Sequence, residues 1–444
     1  MLKIEGYEKI KSGLSRGLLG LIASLVLFIP TRAIAAEIQD VQITSAVEDE
    51  ILFDTSVELN GIDVKTAEGV VTLSGAVDSL VEKKRAAKLA RTVKGVRSVV
   101  NLIKVVPTPF RSDRAILHDV ETALLRDPAT KTYNITVKVK NDEVTLTGEV
   151  GSWQQKKLVE NVAGSVRGVK AVHNEIEINY EKIRSDLQIK KEIQEALRWD
   201  TLVEDGQINV QVKDGEVKLT GMVASASEKY HAAVKAWVNG VRNVQVKDLE
   251  VRRWTRLPML RKKKYVEKRD SDIRDALKDA LLYDPRVISF EIHPRVRNGV
   301  VTLRGDVDNL KAKRAAEKVA QKTVGVVEVK NRIRVRPGEL SDEEVAANLQ
   351  KAMDRDPYLY DEEITFSVND GNVFLFGDVP TFFLKGRASR LVAGVLGVEK
   401  VYNHLDVEFE RRPLVFDPQS FGEVVIYTES WYDYEPYNTF KSDS

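Results

Sequence analysis

One strand is written five times in this chain. Val71-x-Leu73-x-Gly75-x-Val77 recurs around Gly148, Gly221, Gly305 and Gly377, and the glycines lie 73, 73, 84 and 72 residues apart. Such spacing predicts an array of small units rather than one large core. At about 70 residues each unit is near the lower size at which a single core supports folding. The chain has no cysteine, so disulfides and Cys-based metal sites are excluded and apolar packing must hold each unit.

Within a repeat the pattern is α-β-β-α-β. Ile43, Val47 and Ile51, or Ile116, Val120 and Leu124, form one apolar stripe of a first helix. The helix stops at Asp54, Asp127, Asp200, Asp284 or Asp356, three of them followed by proline, which disfavours helical geometry before it. Period-two alternation follows, as in Ile135, Val137 and Val139, then a short turn such as Asn298-Gly299 leads into the repeated strand, predicting a hairpin. Gly75, Gly148, Gly221, Gly305 and Gly377 are read as structural glycines that let a helix cross close to the sheet. Ser79, Ser152, Ser225, Asn309 and Thr381 suit the N-cap of a second helix. That helix ends at Gly95, Gly168, Gly240, Gly325 or Gly397, each followed by Val and suited to a left-handed C-terminal residue. The expected fold class is α+β, with five tandem α-β-β-α-β domains, each packing two helices on one face of a three-stranded sheet. Each is expected to close its own miniature core.

Gly69-Val70-Val71-Thr72-Leu73-Ser74-Gly75-Ala76-Val77 with Gly95-Val96, and Asn298 to Val307 with Gly325-Val326, carry a family resemblance. The unit resembles the BON domain, a module of bacterial osmotically induced and outer-membrane-associated periplasmic proteins. The likeness covers residues 39–107, 112–179, 184–251, 270–337 and 341–409, leaving a linker at 252–269 and a tail at 410–444. It implies a non-enzymatic module that associates with phospholipid or envelope surfaces. The second repeat departs at its turn, where Asp142-Glu143 replaces the usual glycine, and the fifth by Pro380 and Phe382-Phe383.

Residues 1–35 read as a signal peptide: Lys3, Lys9, Lys11 and Arg16 precede an apolar run from Leu18 to Ile29, and Ala33-Ile34-Ala35 is a small-x-small cleavage site. The run is shorter than the roughly 20 residues of a membrane span, so cleavage is preferred over a retained N-terminal anchor. An exported, periplasmic, peripherally membrane-associated protein is expected.

No nucleophile elbow, phosphate loop or metal-ligand spacing is present, and the five histidines are dispersed. An enzyme is therefore not expected, and neither is a cofactor or a metal. The candidate contacts with anionic phospholipid or another envelope surface are of two kinds. Leu80, Trp153, Leu310 and Phe382, with Phe383 beside it, lie at second-helix starts, where an apolar side chain adjoins free N–H groups. Packing over the helix start is the alternative for these residues. The linker interleaves Trp254, Leu260 and Tyr265 with Arg256, Arg261, Lys262, Lys263 and Lys264, so insertion and headgroup attraction would act together. Nucleic acid would also suit that charge, but export argues against it.

The second helices of the first and fourth repeats are basic, through Lys83, Lys84, Arg85, Lys88 and Arg91 and through Lys311, Lys313, Arg314 and Lys318. They face a negative leaflet or are simply solvated. The tail carries aromatic and acidic residues suited to envelope protein partners. Two functions follow: multivalent attachment to lipid in envelope maintenance or osmotic stress protection, or a protein-interaction or chaperone-like scaffold.

Overall fold

The structure, a computed structural model, describes residues 38–57, 61–180, 184–252, 264, 267–287, 291–336, 338 and 340–408. Among these, each repeat supplies two helices. The first helices are α1 (Asp40–Leu52), α3 (Asp113–Arg126), α5 (Asp186–Trp199), α7 (Asp270–Leu282) and α9 (Asp342–Arg355). The second are α2 (Leu80–Thr92), α4 (Trp153–Ala163), α6 (Ala226–Lys235), α8 (Leu310–Gln321) and α10 (Phe382–Val392).

In each sheet the repeated strand is central. Val70–Val77 pairs antiparallel with Ile62–Ala67 and parallel with Ser98–Asn101 and Lys104–Val105, and the other repeats follow the same plan. Alternation places Val71, Leu73 and Val77 under the helices, where they are buried with Ile43, Val47 and Ile51. The fold is thus tandem α+β, as the periodicity predicts.

The repeated glycine has a different cause from the one expected. Gly75 has φ of 111°, and a Cβ there would lie 2.0 Å from the Gly61 carbonyl oxygen. The tight neighbour is the backbone entering the partner strand, not a crossing helix. At Gly305 the corresponding distance is 1.9 Å, to the Glu291 carbonyl oxygen.

A second device recurs five times. The first residue of each first helix, Asp40, Asp113, Asp186, Asp270 or Asp342, accepts hydrogen bonds from both N–H groups of the hairpin turn, at 2.7–3.0 Å. A carboxylate at a helix N-terminus is itself favoured by the dipole, so one side chain fastens helix to hairpin. The second repeat keeps the left-handed turn without glycine: Asn141 and Asp142 take φ of 54° and 65°, which Asn and Asp tolerate.

Separate apolar clusters surround Ile193 and Leu219 in the third repeat, Leu277 and Leu303 in the fourth and Leu349 and Leu375 in the fifth. The repeats are nevertheless not loose beads. Leu310 of the fourth belongs to the core of the fifth, and Trp199 of the third packs on the fourth. Two repeat pairs dock by the same backbone contact. Val324 N–H donates to the Trp199 carbonyl at 3.0 Å, and Arg167 N–H to the Arg355 carbonyl at 2.8 Å. In each pair, the loop after one second helix meets the end of another repeat's first helix.

Further side chains close the assembly. Trp153 stacks on Trp237 with ring centres 5.1 Å apart, and Gln154 Nε2 donates to the Trp237 carbonyl at 2.6 Å. Tyr358 donates to the Ser56 carbonyl at 2.9 Å, joining fifth and first repeats.

The aspartates that end the first helices hold basic partners. Asp54 accepts from Arg85 Nε at 2.9 Å, and Asp356 from Arg387 Nε at 2.9 Å. Where the second repeat has Leu158 in the place of Arg85, Asp127 instead pairs with Lys311 of the fourth. Burial alone would raise the Asp54 pKa, but hydrogen bonds from Arg85 and Ser56 outweigh it and hold the group below its ordinary 3.8. A depressed carboxyl stabilises the fold above its unfolded pKa and loses that contribution as pH falls through the folded value.

Three outcomes are expected. Gly75→Ala lowers stability by at least about 1–3 kcal/mol, backbone strain being joined by the clash with the Gly61 carbonyl, read as an earlier urea transition. Trp153→Ala removes stacking and apolar burial worth about 2 kcal/mol or more, read by denaturation. Below about pH 5, Asp54→Asn unfolds with a flatter acid dependence than the parent chain, measured by melting across a pH series.

Candidate functional site

The sequence-derived contact residues fall into three groups. Leu80 and Leu310 are buried, 9% and 8% exposed, and Trp153 is enclosed by the Trp237 stack. Phe383 packs on the fifth core and lies edge-on to Tyr358 at 4.9 Å. These side chains are taken up by contacts within and between repeats, which corrects their expected place at a free surface. Phe382 alone of this set projects, 71% exposed.

Lys264 is a second correction. It is 3% exposed and donates from Nζ to the Leu197 carbonyl at 2.9 Å, with Asp205 at 3.5 Å. Burial, opposed by Asp205, Glu204 and Asp200, lowers its pKa. It fastens the linker to the third repeat and is not displayed to a headgroup. Trp254, Arg256, Leu260, Arg261, Lys262, Lys263 and Tyr265 lie outside the described residues, as do the signal segment and the tail.

The basic second helices are likewise partly engaged. Lys84 bridges to Glu160 at 3.3 Å, the Arg91 guanidinium sits 4.8 Å from the Tyr230 ring centre, and Arg314 donates to the Ser389 carbonyl at 3.0 Å. Their charge joins repeats as much as it meets solvent.

With helices turned toward neighbours, the open sheet faces carry the distinctive surfaces. On the fourth repeat the face is cationic. Strands Ile292–Arg297, Val300–Val307 and Glu328–Val335 align Arg295 with Thr302 and Lys330 in one row, and His293 with Arg304 and Arg332 in the next. Arg297 stands one row further, opposite Val300. Arg295, Arg297, Arg304, Lys330 and Arg332 are all exposed. Among the described residues Arg295, Arg297, Arg304 and Arg332 bond to no carboxylate, whereas Lys330 has Glu328 at 3.6 Å. Corresponding positions in the first repeat are Lys65, Thr72 and Val100, then Asp63, Ser74 and Leu102, so the charge belongs to one copy rather than to the fold.

This face was not singled out from the sequence, although the signal is present. Lys330, Arg332, Arg334 and Arg336 alternate, as do Arg295 and Arg297, and period two puts alternate residues of a strand on one side. Strand register is what unites the segments.

The fifth repeat differs in kind. Phe374 stacks on Tyr402 at 4.7 Å and Phe376 on His404 at 5.5 Å, with Phe376 44% and Tyr402 40% exposed. No grouping of His, Asp or Glu able to hold a metal occurs among the described residues. No described helix is long and apolar enough to cross a membrane.

Comparison with known proteins places this architecture. The BON domain family matches residues 39–107, 112–180, 185–253, 269–337 and 341–408. Osmotically-inducible protein Y of Escherichia coli (strain K12) is 32% identical over 143 residues, 31% of this chain and 71% of that protein. A protein of Anaplasma centrale, described as an uncharacterized protein in the gshII 5'region, is 27% identical over 130 residues, covering 28% of this chain and 86% of its own length. Among solved structures, the C-terminal domain of CdsD, the structural protein of the Type III secretion system of Chlamydia trachomatis, is 18% identical with a TM-score of 0.14, covering 51% of this chain and all of that domain. Five matches spanning most of the sequence establish that the chain belongs to the BON domain family.

Proposed function

We propose that this protein attaches to anionic phospholipid, or to a similarly charged envelope surface, through the open sheet face of its fourth repeat. It acts without catalysis in envelope maintenance under osmotic or other stress, in the periplasm. The carrying observation is the row arrangement of Arg295, Arg304, Lys330 and Arg332, with Arg297 beside them, exposed and, among the described residues, largely without acidic partners. A flat array of guanidinium groups suits many phosphates at once rather than one enclosed ligand. Family membership, the similarity to an osmotically inducible protein and the N-terminal export pattern support the setting. Phe382 remains a candidate for apolar insertion; Leu80, Leu310, Phe383 and Lys264 are assigned structural roles instead.

A protein-interaction scaffold is the second reading, favoured by the stacked aromatic face at Phe374, Phe376 and Tyr402. Exposed aromatic surface is typical of protein contacts.

Near a negative leaflet each basic residue contributes about 1 kcal/mol. Arg295→Gln, Arg304→Gln and Arg332→Gln combined should therefore weaken co-sedimentation with phosphatidylglycerol vesicles about a hundredfold. Added salt should weaken the parent protein in the same way. Undiminished retention of a folded triple variant would remove the fourth face from the mechanism. Phe376→Ser with Tyr402→Ser should leave retention intact while abolishing cross-linking to protein partners, if the fifth face serves the second role.

A further inference from the structure

Between the second, fourth and fifth repeats lies a cleft of about 460 Å³. Its volume falls in the range of small-molecule sites, about 300–1,000 Å³. Six cations line it, Arg126, Arg286, Lys311, Arg355, Arg387 and Arg390, against the two carboxylates of Asp127 and Asp356. Those carboxylates are already engaged, Asp127 by Lys311 and Asp356 by Arg387, and Arg286 pairs with Asp284. Arg126, Arg355 and Arg390 are left with no carboxylate partner among the described residues, although Arg126 donates to the Asn348 side-chain oxygen. Burial lowers the pKa of both Arg355 and Arg390; at Arg355 the carboxylates of Asp119 and Asp354 oppose this and Arg126 adds to it, and at Arg390 the guanidinium groups of Arg387 and Arg85 add to it while Asp356 opposes it. Six cations against two carboxylates leave the lining of the cleft net positive, which favours an anion there.

Shape and chemistry narrow the class. Arg126 and Arg355 come from the ends of two first helices in different repeats, and Arg390 from a second helix, so cations from separate elements line the cleft together. A phosphate monoester offers three acceptor oxygens and nearly two charges, which suits several guanidinium forks approaching from different sides. Leu158, Val162, Leu391 and Val395 form an apolar wall beside the charge.

We propose that this cleft binds a small organophosphate, its phosphate held by Arg126, Arg355 and Arg390 and its organic part lying on the apolar wall. The site is separate from the fourth sheet face and does not depend on the proposed attachment to a surface. A phosphomonoester lipid headgroup and a soluble phosphate ester share the required chemistry.

The test is calorimetric titration of the full chain with glycerol 3-phosphate and with dihexanoyl phosphatidic acid below its micelle concentration. Chloride at matched ionic strength is the control. Saturable one-to-one binding of at least one phosphate ester is expected; comparable affinity for both identifies a soluble ester as sufficient, and binding of phosphatidic acid alone identifies the lipid source. Arg355→Gln with Arg390→Gln should weaken it about tenfold or more, as loss of charge-assisted bonds requires. Arg126→Lys, which keeps the charge and loses the fork, should weaken it less. Thermal melts of the unliganded variants establish that they fold. Arg295→Gln with Arg304→Gln, on the sheet face, should leave this binding unchanged. Absence of saturable binding, or equal binding by the folded cleft variants, would overturn the site whatever the vesicle experiments give.

Discussion

The contact that organises the molecule is a backbone hydrogen bond between repeats. The loop after a second helix donates to the carbonyl that ends another repeat's first helix, at Val324 to Trp199 and at Arg167 to Arg355. Helix ends leave carbonyls without intrahelical partners, so each repeat carries a ready acceptor there. Satisfying it with a neighbour brings helical layers together and leaves sheets outward. Further pairs are joined by side chains, Trp153 on Trp237 between the second and third repeats and Leu310 in the core of the fifth.

Repetition supplies the scaffold, and divergence supplies the chemistry. The aspartate clamp between first helix and hairpin turn recurs in every copy, from Asp40 to Asp342. Positions that the core does not constrain have drifted apart. One open face carries Arg295, Arg304 and Arg332, another Phe374, Phe376 and Tyr402, and the first carries neither set. The replacement of Arg85 by Leu158 at the equivalent position of the second repeat has a structural counterpart too. Asp127 there reaches a lysine 184 residues away, and a bond internal to one repeat becomes a bond between two.

Much of the fold was legible because its causes are local. Apolar stripes at Ile43, Val47 and Ile51, alternation at Ile135, Val137 and Val139, and helix caps at Ser79 or Ser152 are set by neighbours within a few residues. The repeated glycine was recognised from its position, yet its cause was not. Gly75 meets the carbonyl of Gly61 on the facing chain, which only the register reveals. The candidate site was less legible still. Lys264 reads as one more cation of a basic run until Leu197 and Asp205 are seen to enclose it. Arg304 and Arg332 become one patch only when two strands are paired.

Enclosure of the second-helix starts bears on how such an array can be dissected. A single repeat cut from the chain would bare Trp153, or Leu310, that the intact protein keeps against a neighbour. Freshly uncovered rings and aliphatic chains adhere to detergents, vesicles and one another whatever the parent does. Adhesion by an excised fragment would therefore measure the wound left by the cut, and only the undivided chain presents the surface that evolution exposed.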